Sequence, residues 1–179
     1  MDRKAFLQKT LFAGTACACG IGLVSAPNIH GQDTAAVPDP LEGFRNEWVK
    51  AFLKNLDASF DEAGRIRLME SCGRDCARRG ATKMAESYRG NVDGMIAALA
   101  GHLGKENVKR DSERVILIYP ECYCPMVSKS KESLSDTWCE CSKGWVLEMF
   151  GIAADKPVEV KLVQSIKRGD AVCRFEISV

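Results

Sequence analysis

Three close-set cysteine pairs, Cys72-x-x-x-Cys76, Cys122-x-Cys124 and Cys139-x-Cys141, constrain this chain more than any other feature. Residues four apart on a helix project from one face about a turn apart. Residues two apart on extended chain point to the same side. Each pair therefore presents two thiols jointly, and the three act together only in a fold that brings them to one place. Cys139-Glu140-Cys141 lies in the first turn of a helix around Trp145 or in the loop before it, and a thiolate at a helix N-terminus has a lowered pKa. Two readings follow. Four converging thiolates make a tetrahedral site for zinc or an iron–sulfur cluster, with Cys72, Cys76, Cys122, Cys124, Cys139 and Cys141 as the candidate ligands. Alternatively, the same sulfurs form disulfides and the domain holds no cofactor. Such bridges would run between segments, because a bridge within Cys-x-Cys is strained. Redox or nucleophilic cysteine chemistry is a third possibility. Cys173 shares a strand face with Phe175 and Ile177 and reads as a small core residue.

Which reading applies depends on the compartment. Arg3-Lys4-Ala5-Phe6-Leu7-Gln8-Lys9 and the uncharged stretch from Thr10 to Ala26 have the layout of a secretory signal, so residues 1–31 are read as an export signal and 32–40 as a linker. The basic-basic-x-Phe-Leu order resembles the twin-arginine translocation signal, with Lys4 where the second arginine would stand. That route carries folded substrates, often around a cofactor, so a cysteine-bound metal would be inserted before export. An oxidising exterior favours disulfides instead. The expectation is a periplasmic or other extracytoplasmic location. Because the apolar run falls only slightly short of the ~20 residues of a spanning helix, an uncleaved signal would anchor the protein in the membrane. Cys17 and Cys19 lack the leucine three positions earlier that a lipoprotein signal needs.

Without residues 1–31, which hold Asp2, Arg3, Lys4 and Lys9, the 25 basic and 24 acidic residues become 22 and 23. A near-neutral domain argues against a nucleic-acid surface. About 140 residues suit one domain with its own core, here 41–179. His102 is the one histidine clear of the signal boundary, so any Cys-His site would have to use it. Its place at a helix C-terminus equally suits a partner for the helix dipole. Arg74, inside Cys72-Gly73-Arg74-Asp75-Cys76, is a candidate for holding a substrate carboxylate, against the alternative of a surface ion pair. Tyr119, Tyr123, Trp138 and Trp145 flank the later cysteines and either wall a pocket or fill the core.

Leu41, Phe44, Trp48, Phe52 and Leu56 recur at helical steps and predict an amphipathic helix. A second helix starts near Ser59 or Asp61, carries Leu68, Met69, Cys72 and Cys76 along one side and ends at Gly80. Asn91 caps a third, which Gly104 closes. Val115 to Tyr119 reads as a strand stopped by Pro120, with Val108 to Arg110 pairing across Asp111-Ser112. A helix around Trp145 ends at Gly151. Val158 to Ser178 alternates as an antiparallel hairpin that turns at Arg168-Gly169-Asp170, a triplet read here as turn chemistry rather than an adhesion motif. Helices first and strands later predict an α+β domain, its N-terminal helices packed on a small antiparallel sheet.

Gly169-Asp170-Ala171-Val172-Cys173-Arg174-Phe175 on the last strand resembles the closing motif of the aminothiazoline-carboxylate hydrolase family. It is also similar to the ending of vinyl-reductase-type small-molecule-binding domains. Cys72-Gly73-Arg74-Asp75-Cys76 and the Cys-x-Cys motifs resemble those of an uncharacterised group of exported, cysteine-rich relatives. The resemblance implies a domain that binds a small molecule, and it assigns no catalytic residue. The functional expectation is an exported small-molecule- or metal-binding domain. The alternative is a hydrolase that opens the C–N bond of a small cyclic amidine or amide, using an activated thiolate or a metal-bound water.

Overall fold

The structure is a computed structural model that describes residues 40–112, 114–130 and 133–179. The expected export signal and nearly all of the linker lie outside the described residues. Among those described, no helix is long and apolar enough to cross a membrane. Residues 39–179 cluster as one compact unit. Its elements run α1 (Glu42–Ser59), α2 (Glu62–Gly80), α3 (Thr82–Glu86), α4 (Val92–Leu103), β1 (Val108–Asp111), β2 (Arg114–Tyr119), α5 (Glu140–Ala154), β3 (Glu159–Gln164) and β4 (Cys173–Ser178). Short 3-10 turns at Asp136–Cys139 and Ile166–Arg168 lead into α5 and out of β3.

The four strands form one antiparallel sheet in the order β1-β2-β4-β3. The fold is α+β, with the helices on the sheet and β3-β4 as the C-terminal hairpin. Only one sheet face needs an apolar cover, and the strands alternate accordingly. Val115, Leu117, Phe175 and Ile177 are fully buried, whereas Lys161 and Glu159 on β3 face water. Register places Leu117 opposite Phe175 and Tyr119 opposite Cys173. Cys173, Phe175 and Ile177 all face inward, as the alternation requires. The hairpin connection is longer than a tight turn. Ile166–Arg168 coil into a 3-10 turn, Gly169 takes φ +102, and the Asp170 carboxylate accepts from the Ser165 N–H at 2.7 Å. Asp170 thus closes the loop from within.

Helix starts follow the capping residues. Asp61 accepts from the Gly64 N–H and Asn91 from the Gly94 N–H, satisfying donors that the first turn leaves open. Gly104, at φ +95, ends α4. α5 does not stop at Gly151. It runs to Ala154 and closes on Asp155 at φ 52, because Gly151 is tolerated in mid-helix when Met149, Phe150 and Ala153 are buried around it.

α1 departs from the sequence reading. Its core face is Val49, Leu53 and Leu56, whereas Leu41, Phe44 (68% exposed) and Trp48 (52% exposed) stand out in solvent. The apolar stripe is real, but the helix joins the domain only from Val49 onward. There it packs with Met69, Val127 and Trp138 in a small core of its own. A larger core joins the sheet to α3, α4 and α5. Arg65 stitches the α1–α2 corner by donating to the carbonyls of Asp57 and Phe60.

Candidate functional site: a cysteine-lined cavity

α2 packs more extensively on α5 than any other two elements pack on each other, and two glycines permit it. A Cβ on Gly73 would overlap the Cys141 carbonyl, and one on Gly144 would overlap the Glu70 carbonyl. Bare backbone on each helix therefore meets backbone of the other. Gly73 lies between Cys72 and Cys76, so the contact brings that pair to the first turn of α5, which carries Cys141. Polar clamps hold the same turn. Glu140 is buried between Arg168, which donates to it at 2.9 Å, and Lys143, which also pairs with Glu70 at 2.6 Å. Arg168 further donates to the Asp136 carbonyl.

The loop after β2 supplies the facing wall. Tyr119 ends the strand, and Cys122 and Cys124 follow on irregular chain. The N–H groups of Val127 and Ser128 both donate to the Cys124 carbonyl. Lys167, only 4% exposed, reaches across to donate its ammonium to the Ser130 carbonyl, and the Leu134 N–H donates back to the Lys167 carbonyl at 2.7 Å. The 3-10 turn after β3 thereby latches the far end of the cysteine loop.

Between these walls lies a cavity of about 330 Å³. Six of the seven described cysteines line it: Cys76 from α2, Cys122 and Cys124 from the loop, Cys139 and Cys141 from the start of α5, and Cys173 from β4. Five of the six candidate ligands therefore share one cavity. Cys72 is exposed and does not line it. Cys173 joins the lining despite its core position, through its place opposite Tyr119. The four flanking aromatics, Tyr119, Tyr123, Trp138 and Trp145, also line the cavity, and so does His102.

Arg74 lies elsewhere. Its guanidinium pairs with Glu148 at 3.1 Å, beside a second hollow that includes Arg89 and Lys156. Burial pushes the Glu148 carboxyl up, but the guanidiniums of Arg78 and Arg74 outweigh it and leave the group below its ordinary value. The Arg74 charge is thus matched within the protein.

Burial dominates the electrostatics of the cavity thiols. It pushes Cys141 up to about 12, with the neighbouring thiols of Cys124, Cys76, Cys72 and Cys139 adding to the shift. It pushes Cys139 up to about 11, against the lowering effect of the Ser165 hydroxyl, which donates to its sulfur at 2.8 Å. Cys124 and Cys173 are raised by burial as well. These four thiols are protonated at neutral pH, contrary to the lowered pKa that a helix N-terminus alone would give Cys141. All seven described cysteines are free thiols. Among the described residues, no three His, Cys, Asp or Glu side chains are placed to hold one metal ion.

The residues that sequence reasoning missed are those that build the walls. Gly73 and Gly144 carry no signal beyond being glycines in helices, and Lys167 reads as an ordinary surface position on an alternating strand. Comparison with known families places residues 24–179 in a family of unknown function, DUF6144, and the chain belongs to that family. No curated protein matches it.

Proposed function

We propose that this is an exported binding protein whose cysteine-lined cavity takes a small, uncharged, largely apolar molecule. The observation that carries this reading is the convergence of six thiols and four aromatic side chains from four segments on one cavity. Its volume lies within the range of about 300–1,000 Å³ common for small-molecule sites. No carboxylate lines it, and the one lysine that does, Lys167, spends its ammonium on a backbone carbonyl. A cationic ligand would find no counter-charge there, and the tethered Lys167 ammonium is the single full charge on the lining, whereas an apolar ligand would meet soft sulfur and aromatic faces. Hydrolysis by an activated thiolate gains no support from Cys124, Cys139, Cys141 or Cys173, whose raised pKa values keep them protonated.

The test uses the full chain with a neutral naphthalene dye, read by energy transfer from Trp138 and Trp145. One dye per chain is expected. Ser142→Phe, which fills the cavity from α5, should weaken binding at least tenfold, while Arg74→Ala should leave it unchanged. No saturable binding, or equal binding by Ser142→Phe, would contradict the proposal.

A further inference from the structure

We propose that the cavity ligand carries one uncharged oxygen acceptor, a carbonyl of the ketone or amide class, and that the Lys167 ammonium receives it. The inference rests on the cavity reading above and names the chemical class that the same site selects. Lys167 lines the cavity and is 4% exposed. An ammonium has three N–H donors and no acceptor. One donor goes to the Ser130 carbonyl, and among the described residues the ammonium has no second acceptor and no ion pair. Two donors are left over at a buried position, where an unpartnered donor costs free energy, and more when it is charged. The space that Lys167 borders is the cavity. A ligand that displaced water from these donors without replacing its hydrogen bonds would lose affinity, so the site favours a ligand that brings an acceptor.

The turn that carries Lys167 is fixed on every side. Its own carbonyl accepts from the Leu134 N–H at 2.7 Å, the Asp170 carboxylate takes the Ser165 N–H before it, and Arg168 after it pairs with Glu140 at 2.9 Å. The ammonium is therefore held in place before a ligand arrives, which lowers the ordering cost of binding. The other polar groups of the lining have less to gain. His102 and Tyr123 are exposed and Tyr119 and Ser142 half-buried, so water reaches them. The buried Trp138 already bonds the Cys124 sulfur.

The rest of the wall makes the acceptor an uncharged one. An ionised carboxylate offers about four lone-pair sites on two oxygens, and burial would leave most of them facing thiols and aromatic rings, beyond the reach of a single ammonium. A carbonyl oxygen is satisfied by one donor. The sulfur and aromatic faces then cover the apolar body attached to it.

The test compares three probes of similar shape on the full chain: 2-ethylnaphthalene, 2-acetylnaphthalene and 2-naphthoate. The ketone should bind at least as tightly as the hydrocarbon, although water holds the ketone better. In Lys167→Met, which keeps the stem and removes the donors, the ketone should lose at least tenfold relative to the hydrocarbon. Isotope-edited infrared should place the carbonyl stretch of the ketone bound to the native chain below its position in hydrocarbon solvent. A merely structural lysine would not give that signature, and it stays measurable if the variant does not fold. A ketone at least tenfold weaker than the hydrocarbon in the native chain, an unchanged ratio in the variant, or an unshifted stretch would overturn the proposal. Tighter binding of naphthoate than of the ketone would overturn the uncharged class. Uptake of none of the three would overturn the cavity reading, and the carbonyl claim with it.

Discussion

A methyl group added at Gly73 would collide with the Cys141 backbone, which no side-chain rotation can relieve. Helix propensity favours alanine over glycine by about 1 kcal/mol, but overpacking against backbone costs about 1–3 kcal/mol or more. Gly73→Ala should therefore destabilise the domain by at least about 1 kcal/mol in urea unfolding, the steric term winning. Gly101, also inside a helix, has nothing within 4 Å of an added Cβ, so Gly101→Ala should stabilise by up to about 1 kcal/mol. Equal effects at the two sites would contradict the close α2–α5 approach. The cavity thiols make a second residue-scale prediction. Cys139 at about 11 and Cys141 at about 12 hold their protons in the folded state beyond the ordinary thiol value of 9.0. Between pH 9 and 12 the unfolded chain therefore binds fewer protons than the folded one, and stability falls as pH rises. The urea midpoint of the reduced protein should decline through this window, more steeply than in Cys139→Ser/Cys141→Ser. A flat profile would mean that these thiols are not buried.

At the level of elements, the hairpin, the two capped helices and the β2 strand were legible because local signals decide them: alternation, an Asp or Asn cap, a closing glycine. α1 was legible as a helix but not in its orientation. Its periodic stripe fits Leu41, Phe44 and Trp48 as well as Val49 and Leu53, and only packing reveals that the domain covers its second half. Leu53→Ala should cost about 2–5 kcal/mol, as a buried truncation does, and Phe44→Ser less than about 0.5 kcal/mol. Comparable losses measured by thermal unfolding would restore the original stripe as the buried face. The extension of α5 past Gly151 escaped the sequence for the same reason, since a glycine marks a helix end only where burial does not hold the next turn.

On the scale of the whole molecule, the three cysteine pairs announced that their segments meet, because paired thiols point together on helix and extended chain alike. What they meet around was not written in their spacing. The space between them depends on two glycines that set the α2–α5 distance, on a buried lysine that latches the loop, and on the strand register that places Cys173 opposite Tyr119. These are long-range contacts without a local pattern. They also place six sulfurs in the wall of a largely apolar chamber, whereas spacing alone left a metal ligand set and disulfides equally open. Per-cysteine alkylation rates of the reduced full chain, taken by isotope-coded mass spectrometry with and without the neutral dye, test this most directly. The dye should slow Cys76, Cys122, Cys124, Cys139, Cys141 and Cys173 together and leave Cys72 unchanged. Protection confined to one pair, or equal protection of Cys72, would contradict a single cavity shared by the six.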